Sequence, residues 1–395
     1  MTKVMISCGE ASGDLYAGAL TTEIRRLDPG AEVFGLGGER LQQSGARLVA
    51  DYRGLAVTGL AEALSVLPRS FATYRQLVAA ARRERPDVLV VIDFPDFNFR
   101  LAAAVRRLGV PVVYYIGPQV WAWRRGRLNA IKRLVTKAIV IFPFEEPIYR
   151  EAGIPVEFVG HPLIDLARPA SSREQFLQEL GVDPAAPTVA LLPGSRPNEL
   201  RAILPDLGRA AAAIAAQIPA AQFVVARAPK LADELFRPLD ALAGRLARPL
   251  RIVEARTNEV LAASDVVLTA SGTATVQTAI QGRPMIIVYR LSPLTYRLGR
   301  RFVRIDTFGM VNLVAGERIV PELIQDAFTP EAVAGEALSL LRDRERARHT
   351  TEALRRVREK LGAPGASRRA AESILAIARR SNDASLQRHE SRLPR

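Results

Sequence analysis

Short runs of apolar and β-branched residues alternate with helical stretches along nearly the whole chain, and few folds accept such an alternation. Strand, helix and strand in succession build βαβ units, whose strands lie parallel in a sheet covered by helices. In the first half, strands are expected over Lys3–Ser7, Glu32–Gly35, Val88–Ile92, Pro111–Tyr115 and Ala138–Phe142. In the second they are expected over Thr188–Leu192, Gln222–Ala226, Leu250–Val253, Val266–Thr269 and Pro284–Val288. The two sets are separated by Ala167–Pro187, a segment rich in proline and serine around one short helix. A chain of 395 residues exceeds what one ordinary core supports, and 48% hydrophobic content is ample for two. The expected fold class is therefore α/β, with two Rossmann-like parallel-sheet domains facing a central cleft. Residues 1–168 form the first domain and 169–330 the second. Arg-rich helices follow over 331–380, and 381–395 is a polar, disordered tail.

Composition narrows the chemistry. The single cysteine, Cys8, excludes a disulfide framework and fits a reducing compartment. His161, His349 and His389 lie too far apart in sequence to suggest a metal site. The start MTKVMISCGE reads as strand and loop rather than as a leader, and no apolar run is long enough to span a bilayer. Lys and Arg number 55 against 41 Asp and Glu, a net charge of +14. Such a surface suits nucleic acid, an anionic membrane or phosphorylated substrates. The basic stretches lack the interleaved aromatics of single-strand binders, so nucleic acid is not the expected partner.

In open parallel sheets, ligands bind beyond the carboxyl ends of the strands. Five loops in such places carry candidate chemistry. Gly9-Glu10-Ala11-Ser12-Gly13-Asp14 follows the first strand; Ser12 or Asp14 can cap the next helix, but capping does not explain Glu10. Asp93 ends the strand Val88–Ile92, where a carboxylate is a natural general base for a hydroxyl, while Asp96 is read as the cap of the following helix. Trp121 and Trp123 sit in an aromatic loop trailed by arginines, suited to a sugar, a lipid chain and a phosphate, or simply packed. Pro193-Gly194-Ser195-Arg196 joins a strand to a long helix, exposing free N–H groups and positive partial charge to an anion, with Arg196 adding a planar fork. Ser271-Gly272-Thr273 forms a second such cradle, so one domain carries two phosphate-directed loops.

Three further segments stand out. Gly35–Gly45 is a glycine-rich turn, open equally to a close substrate approach and to a plain tight turn. Val57–Leu77 is amphipathic, with Leu60, Leu64, Leu67 and Phe71 at helical spacing and Pro68 as a break; it reads as a core-facing helix pair or as a surface for shallow membrane insertion. Asn312–Arg318 is a polar loop before the last helices, placed to close over the cleft.

Together SCGEASGD, GLGGERLQQSG, VVIDFPDFN, YYIGPQVWAW, FPFEEPIY, FVGHPLID, LLPGSRPNEL, ASGTATVQTA and NLVAGERIVPELIQ, between Ile6 and about Gln325, resemble the lipid-A-disaccharide synthases. These are bacterial glycosyltransferases with the two-domain GT-B architecture. The resemblance implies transfer of the glucosaminyl group of UDP-2,3-diacylglucosamine to the 6-hydroxyl of 2,3-diacylglucosamine 1-phosphate. The reaction inverts the anomeric centre, releases UDP, and needs neither metal nor cofactor. It implies Asp93, Glu10 and Arg196 as catalytic residues, and Ser12, Asp14, Trp121 and Trp123 on the acceptor side. Gly194, Ser195, Arg196, Glu199, Ser271, Gly272, Thr273, Gln277 and Asn312 would hold the UDP-sugar. The apolar segment would dock the enzyme on the cytoplasmic face of the inner membrane. A homodimer is allowed, since family members can exchange C-terminal segments. Two positions depart from the family pattern. Gln277 stands where a glutamate usually holds the donor ribose, so that grip loses charge assistance, and Val311 replaces a proline.

Two alternatives remain at this point. One is another GT-B enzyme using UDP-N-acetylglucosamine, either an epimerase or a peptidoglycan glycosyltransferase. The other is a nucleic-acid binder, suggested by charge alone.

Overall fold

A computed structural model describes residues 1–55, 60–118, 126–244, 246–290 and 309–390. The chain divides into two compact units, Met1–Pro162 with Gly362–Arg395, and Leu163–Leu361.

The first unit is built on a seven-stranded parallel sheet. Its strands are β1 (Lys3–Cys8), β2 (Glu32–Gly37), β3 (Arg47–Asp51), β4 (Val88–Ile92), β5 (Val112–Tyr115), β6 (Lys137–Val140) and β7 (Val156–Phe158). Their order is β3-β2-β1-β4-β5-β6-β7, so the winding reverses between β1 and β4. The central strands are apolar throughout because helices cover both faces: every residue of Val88–Ile92 is fully buried. The register pairs Cys8 with Ile92 and Ile92 with Tyr115, bringing the ends of β1, β4 and β5 into line.

The second unit holds six parallel strands, β8 (Thr188–Leu192), β9 (Gln222–Arg227), β10 (Leu250–Glu254), β11 (Val266–Ala270), β12 (Met285–Tyr289) and β13 (Glu322–Ile324). Their order is β10-β9-β8-β11-β12-β13, with the reversal between β8 and β11. Helix Pro197–Gln217 lays Leu200, Ile203, Leu204, Leu207, Ala211 and Ile214 on this sheet, a three-and-four spacing that makes one buried stripe.

Three expectations are corrected here. The C-terminal helices are not one block. Pro330–Arg342 and Arg344–Lys360 belong to the second unit, whereas Ala366–Glu390 returns to the first and packs on helix Ala11–Leu27 and on β4. Ala366, Ala370, Ala371 and Ala378 are fully buried in that helix, small side chains that permit close approach. Its backbone stays helical through Glu390, so 381–390 is not a disordered tail; no glycine or proline interrupts the stretch. Nor does Pro68 split its segment, since one helix runs over Leu60–Glu84 with Pro68 exposed within it. Among the described residues no helix is long and apolar enough to cross a membrane.

Candidate active site

In the first unit the loops after β1, β4 and β5 meet where the strand order reverses, the position at which open α/β sheets bind ligands. Asp93 is the residue immediately after β4. It and Phe94 both adopt left-handed backbone conformations, with φ of 45° and 49°, and Ile116 after β5 does the same at 59°. Such conformations are strained for residues with a Cβ and persist only where neighbours enforce them. The neighbours are identifiable. The Asp93 N–H donates to the Ile116 carbonyl at 3.1 Å, and the Asp93 carbonyl accepts from Tyr114 Oη at 3.1 Å and from Asn98 Nδ2 at 2.7 Å. The Phe94 ring lies over Gly9, where a Cβ would come within 2.1 Å of it; only glycine fits at that point of the β1 loop. The Asp93 charge adds to burial in holding the Tyr16 and Tyr114 phenols above their ordinary range.

Around this turn the structure redistributes several expected roles. Asp14 is buried and caps a different helix from the one expected. Its carboxylate accepts from the N–H groups of Gly38, Arg40 and Leu41 at 2.7, 2.9 and 3.2 Å, the start of helix Glu39–Gln43. Gly35–Gly45 thus spans the end of β2, the Gly38 cap and helix Glu39–Gln43, and Asp14 ties that helix start to helix Ala11–Leu27. Glu10 is itself the N-cap position of helix Ala11–Leu27, and Ser12 is half-buried in its first turn. Asp96 does not cap the helix Pro95–Arg106; it lies in the first turn, exposed, and pairs with Arg127 at 2.7 Å. Trp121 and Trp123 lie outside the described residues, as do the side chains of Leu60 and Leu64. Leu67 and Phe71 are 54% and 61% exposed, while Leu77, Ala80 and Ala81 further along the same helix are buried.

Two buried residues have no assigned role in the sequence reading. Asn98 is fully buried and joins the ends of β1 and β4: Nδ2 also lies 3.3 Å from the Ser7 carbonyl and 3.2 Å from that of Ile92, and Oδ1 accepts from Ser7 Oγ at 2.7 Å. Glu145, after β6, is 3% exposed. Burial pushes its carboxyl up to about 8, against the pull of the Phe142 and Ile141 N–H groups, so it is largely protonated at neutral pH. Its position after a strand is the one signal a sequence offers; burial is not written there. His161 packs edge-on against Tyr16 and Phe142, and burial lowers it to about 3, leaving it neutral.

In the second unit the loops after β8 and β11 are neighbours, since Leu192 pairs with Thr269. Gly194, with φ of 116°, turns the chain into helix Pro197–Gln217. The N–H groups expected to be free at this helix start are engaged. Glu199 Oε2 accepts from Ser195 N at 3.1 Å and Arg196 N at 3.3 Å, and Oε1 pairs with the Arg196 guanidinium at 3.2 Å. A carboxylate thus sits where an incoming anion would bind, because Glu199 is the third residue of the helix and reaches back to its start. The β11 loop presents Gly272 and Thr273 exposed and Ser271 half-buried at the start of helix Thr273–Ile280. Gln277 donates to Asn258 Oδ1 at 3.4 Å. Asn312, expected to face the nucleotide from a polar loop, is instead buried on helix Met310–Ala315. Its amide bonds Val320 O, Glu322 Oε1, Ile319 N and Val320 N, and so folds the following turn.

A family model for Lipid-A-disaccharide synthetase matches residues 4–378. The chain belongs to that family. It is 43% identical to the lipid-A-disaccharide synthase of Geobacter sulfurreducens over 376 residues, covering 94% of this chain and 96% of that one. Identity to the Koribacter versatilis synthase is 44% over 386 residues, covering 96% and 100%. The chain is therefore an enzyme, a hexosyltransferase of lipid A biosynthesis, and the family implies lipid A precursor sugars as substrates. Among solved structures, a UDP-GlcNAc 2-epimerase from Neisseria meningitidis bound to UDP-GlcNAc is similar with a TM-score of 0.70 at 14% identity, covering 95% of this chain and 100% of that one. Anabaena HepE in complex with UDP and glucose is similar at 0.59 and 15%, with the same coverage. At these identities the likeness speaks for the fold, two Rossmann-like parallel-sheet domains of the GT-B type, as the sequence led one to expect.

Proposed function

We propose that this synthase transfers the 2,3-diacylglucosaminyl group of UDP-2,3-diacylglucosamine to the 6-hydroxyl of 2,3-diacylglucosamine 1-phosphate. The products are lipid A disaccharide 1-phosphate and UDP. The observation that carries the reading is the Asp93 turn: a half-buried carboxylate held by a strained, hydrogen-bonded backbone at the reversal of the first sheet. Asp93 takes the proton of the acceptor hydroxyl as its oxygen bonds to the anomeric carbon. The anomeric C–O bond to the diphosphate breaks on the opposite side, and its electron pair leaves with UDP. Glu10, Ser12, Asp14, Trp121 and Trp123 serve the acceptor. Gly194, Ser195, Arg196, Ser271, Gly272 and Thr273 meet the diphosphate, so that Arg196 and two helix starts supply the positive charge a metal supplies in other transferases. Glu199 moves aside as they do so, and Gln277 holds the ribose. Turnover in the presence of a chelator checks the metal-independent part of this reading.

The exposed Leu67 and Phe71, with Arg69 and Arg75 beside them, support peripheral docking on an anionic membrane, the cytoplasmic face of the inner membrane being where both diacylated sugars are anchored. The deciding experiment supplies both diacylated sugars in detergent and measures UDP and disaccharide. No product from folded protein sinks the proposal. UDP-N-acetylglucosamine serving as substrate in their place favours the epimerase or peptidoglycan alternative.

A further inference from the structure

We propose that Asn98 is a positioning residue for the reaction, setting the direction of the Asp93 carboxylate through the backbone of its turn. The inference rests on the reading of Asp93 as the acceptor base. Two consecutive left-handed residues with side chains do not hold themselves, and relaxation of Asp93 to an ordinary backbone would swing its Cα–Cβ bond away from its present direction. Asn98 opposes this from below. It is fully buried one turn into helix Pro95–Arg106, and the shortest bond its Nδ2 donates, at 2.7 Å, is to the Asp93 carbonyl. The same amide nitrogen faces the carbonyls of Ser7 and Ile92, so the turn is tied to β1 and β4 at once. Ser7 Oγ, donating to Oδ1, fixes which end of the amide faces those carbonyls, and Tyr114 Oη braces the Asp93 carbonyl from β5. Asn98→Asp keeps the shape but replaces the donor with an acceptor facing three carbonyls.

The test uses the full chain with the two diacylated sugars. Asn98→Asp, Ser7→Ala and Tyr114→Phe are each made alone and on an Asp93→Ala background, with UDP release and melting temperature measured. A carboxylate displaced by an ångström or so costs about a hundredfold, so Asn98→Asp is expected to lower kcat by about that factor with KM for both sugars within about twofold. The single-bond variants should lose about two- to tenfold. On the Asp93→Ala background none should lower the residual rate further. Unchanged kcat, or a loss repeated in full without the Asp93 carboxylate, overturns the inference. If Asn98→Asp does not fold, Ser7→Ala and Tyr114→Phe carry the same comparison. If instead Asp93→Ala turns over like wild type, it is the assignment of Asp93 that fails. The structural claim is then decided by the crystal structure of whichever of these variants folds: φ of Asp93 leaving the left-handed region supports it, and φ staying near 45° overturns it.

Discussion

Glu145 offers a quantitative test of how the first unit handles a buried carboxyl. Its carboxyl titrates at about 8 in the folded chain against an ordinary 4.5, the cause being desolvation. Between those values the native state keeps a proton that the unfolded state has released. Stability must therefore fall as pH rises from 4.5 toward 8 and level off above it. Each unit of that interval costs about 1.4 kcal/mol, so between about pH 5.5 and about pH 7.5 wild type should lose about 2.5 kcal/mol from this group alone. Glu145→Gln keeps the shape and an acceptor for the Phe142 N–H but has nothing to titrate. Its stability relative to wild type should accordingly rise by about the same 2.5 kcal/mol over the same range. Denaturant unfolding followed by tryptophan fluorescence is the assay, since both tryptophans belong to the first unit. Profiles for variant and wild type that run parallel within about 0.5 kcal/mol across that range would refute the argument, because the buried carboxyl would then be ionised at no cost.

Three other outcomes are expected. Asp14→Ala removes the acceptor of three backbone N–H groups and should destabilise the first unit by about 1–3 kcal/mol by the same fluorescence assay. Glu199→Gln takes a negative charge away from the Ser195 and Arg196 N–H groups, so UDP should bind about tenfold more tightly by calorimetry; weaker binding would make Glu199 a ligand rather than an occupant of the slot. Leu67→Asp with Phe71→Asp should reduce sedimentation with anionic vesicles without lowering the melting temperature, as both side chains already face out; unchanged sedimentation removes this face from membrane docking.

What could be read in the sequence follows from where the physics is local. Val88–Ile92 and Thr188–Leu192 are apolar on both faces and announce central strands; Arg47–Asp51, Val156–Phe158 and Glu322–Ile324 are half-buried edge strands with charged residues in them, and no apolar run marks them. The positions of Asp93 and of the Gly194 loop are legible because strand ends carry function in this class of fold. The partners of Asp14, more than twenty residues away, and the carbonyls gathered by Asn98 are set by how the strands order, which no local pattern records. Glu199 is implied by the resemblance as a donor-side residue, and a glutamate at the third position of a helix is also a local signal for its turning back on the helix start, as it does here.

The return of helix Ala366–Glu390 to the first unit bears on how the protein is made. A ribosome that has released residues 1–162 has produced seven strands with the outer surface of Ala11–Leu27 and β4 still uncovered. Through synthesis of the whole second unit that apolar surface waits for the final helix. The usual vectorial order, in which an N-terminal domain finishes before the next begins, is unavailable to this chain. Chaperone occupancy during translation should concentrate on the first unit and be relieved only when the last helix emerges.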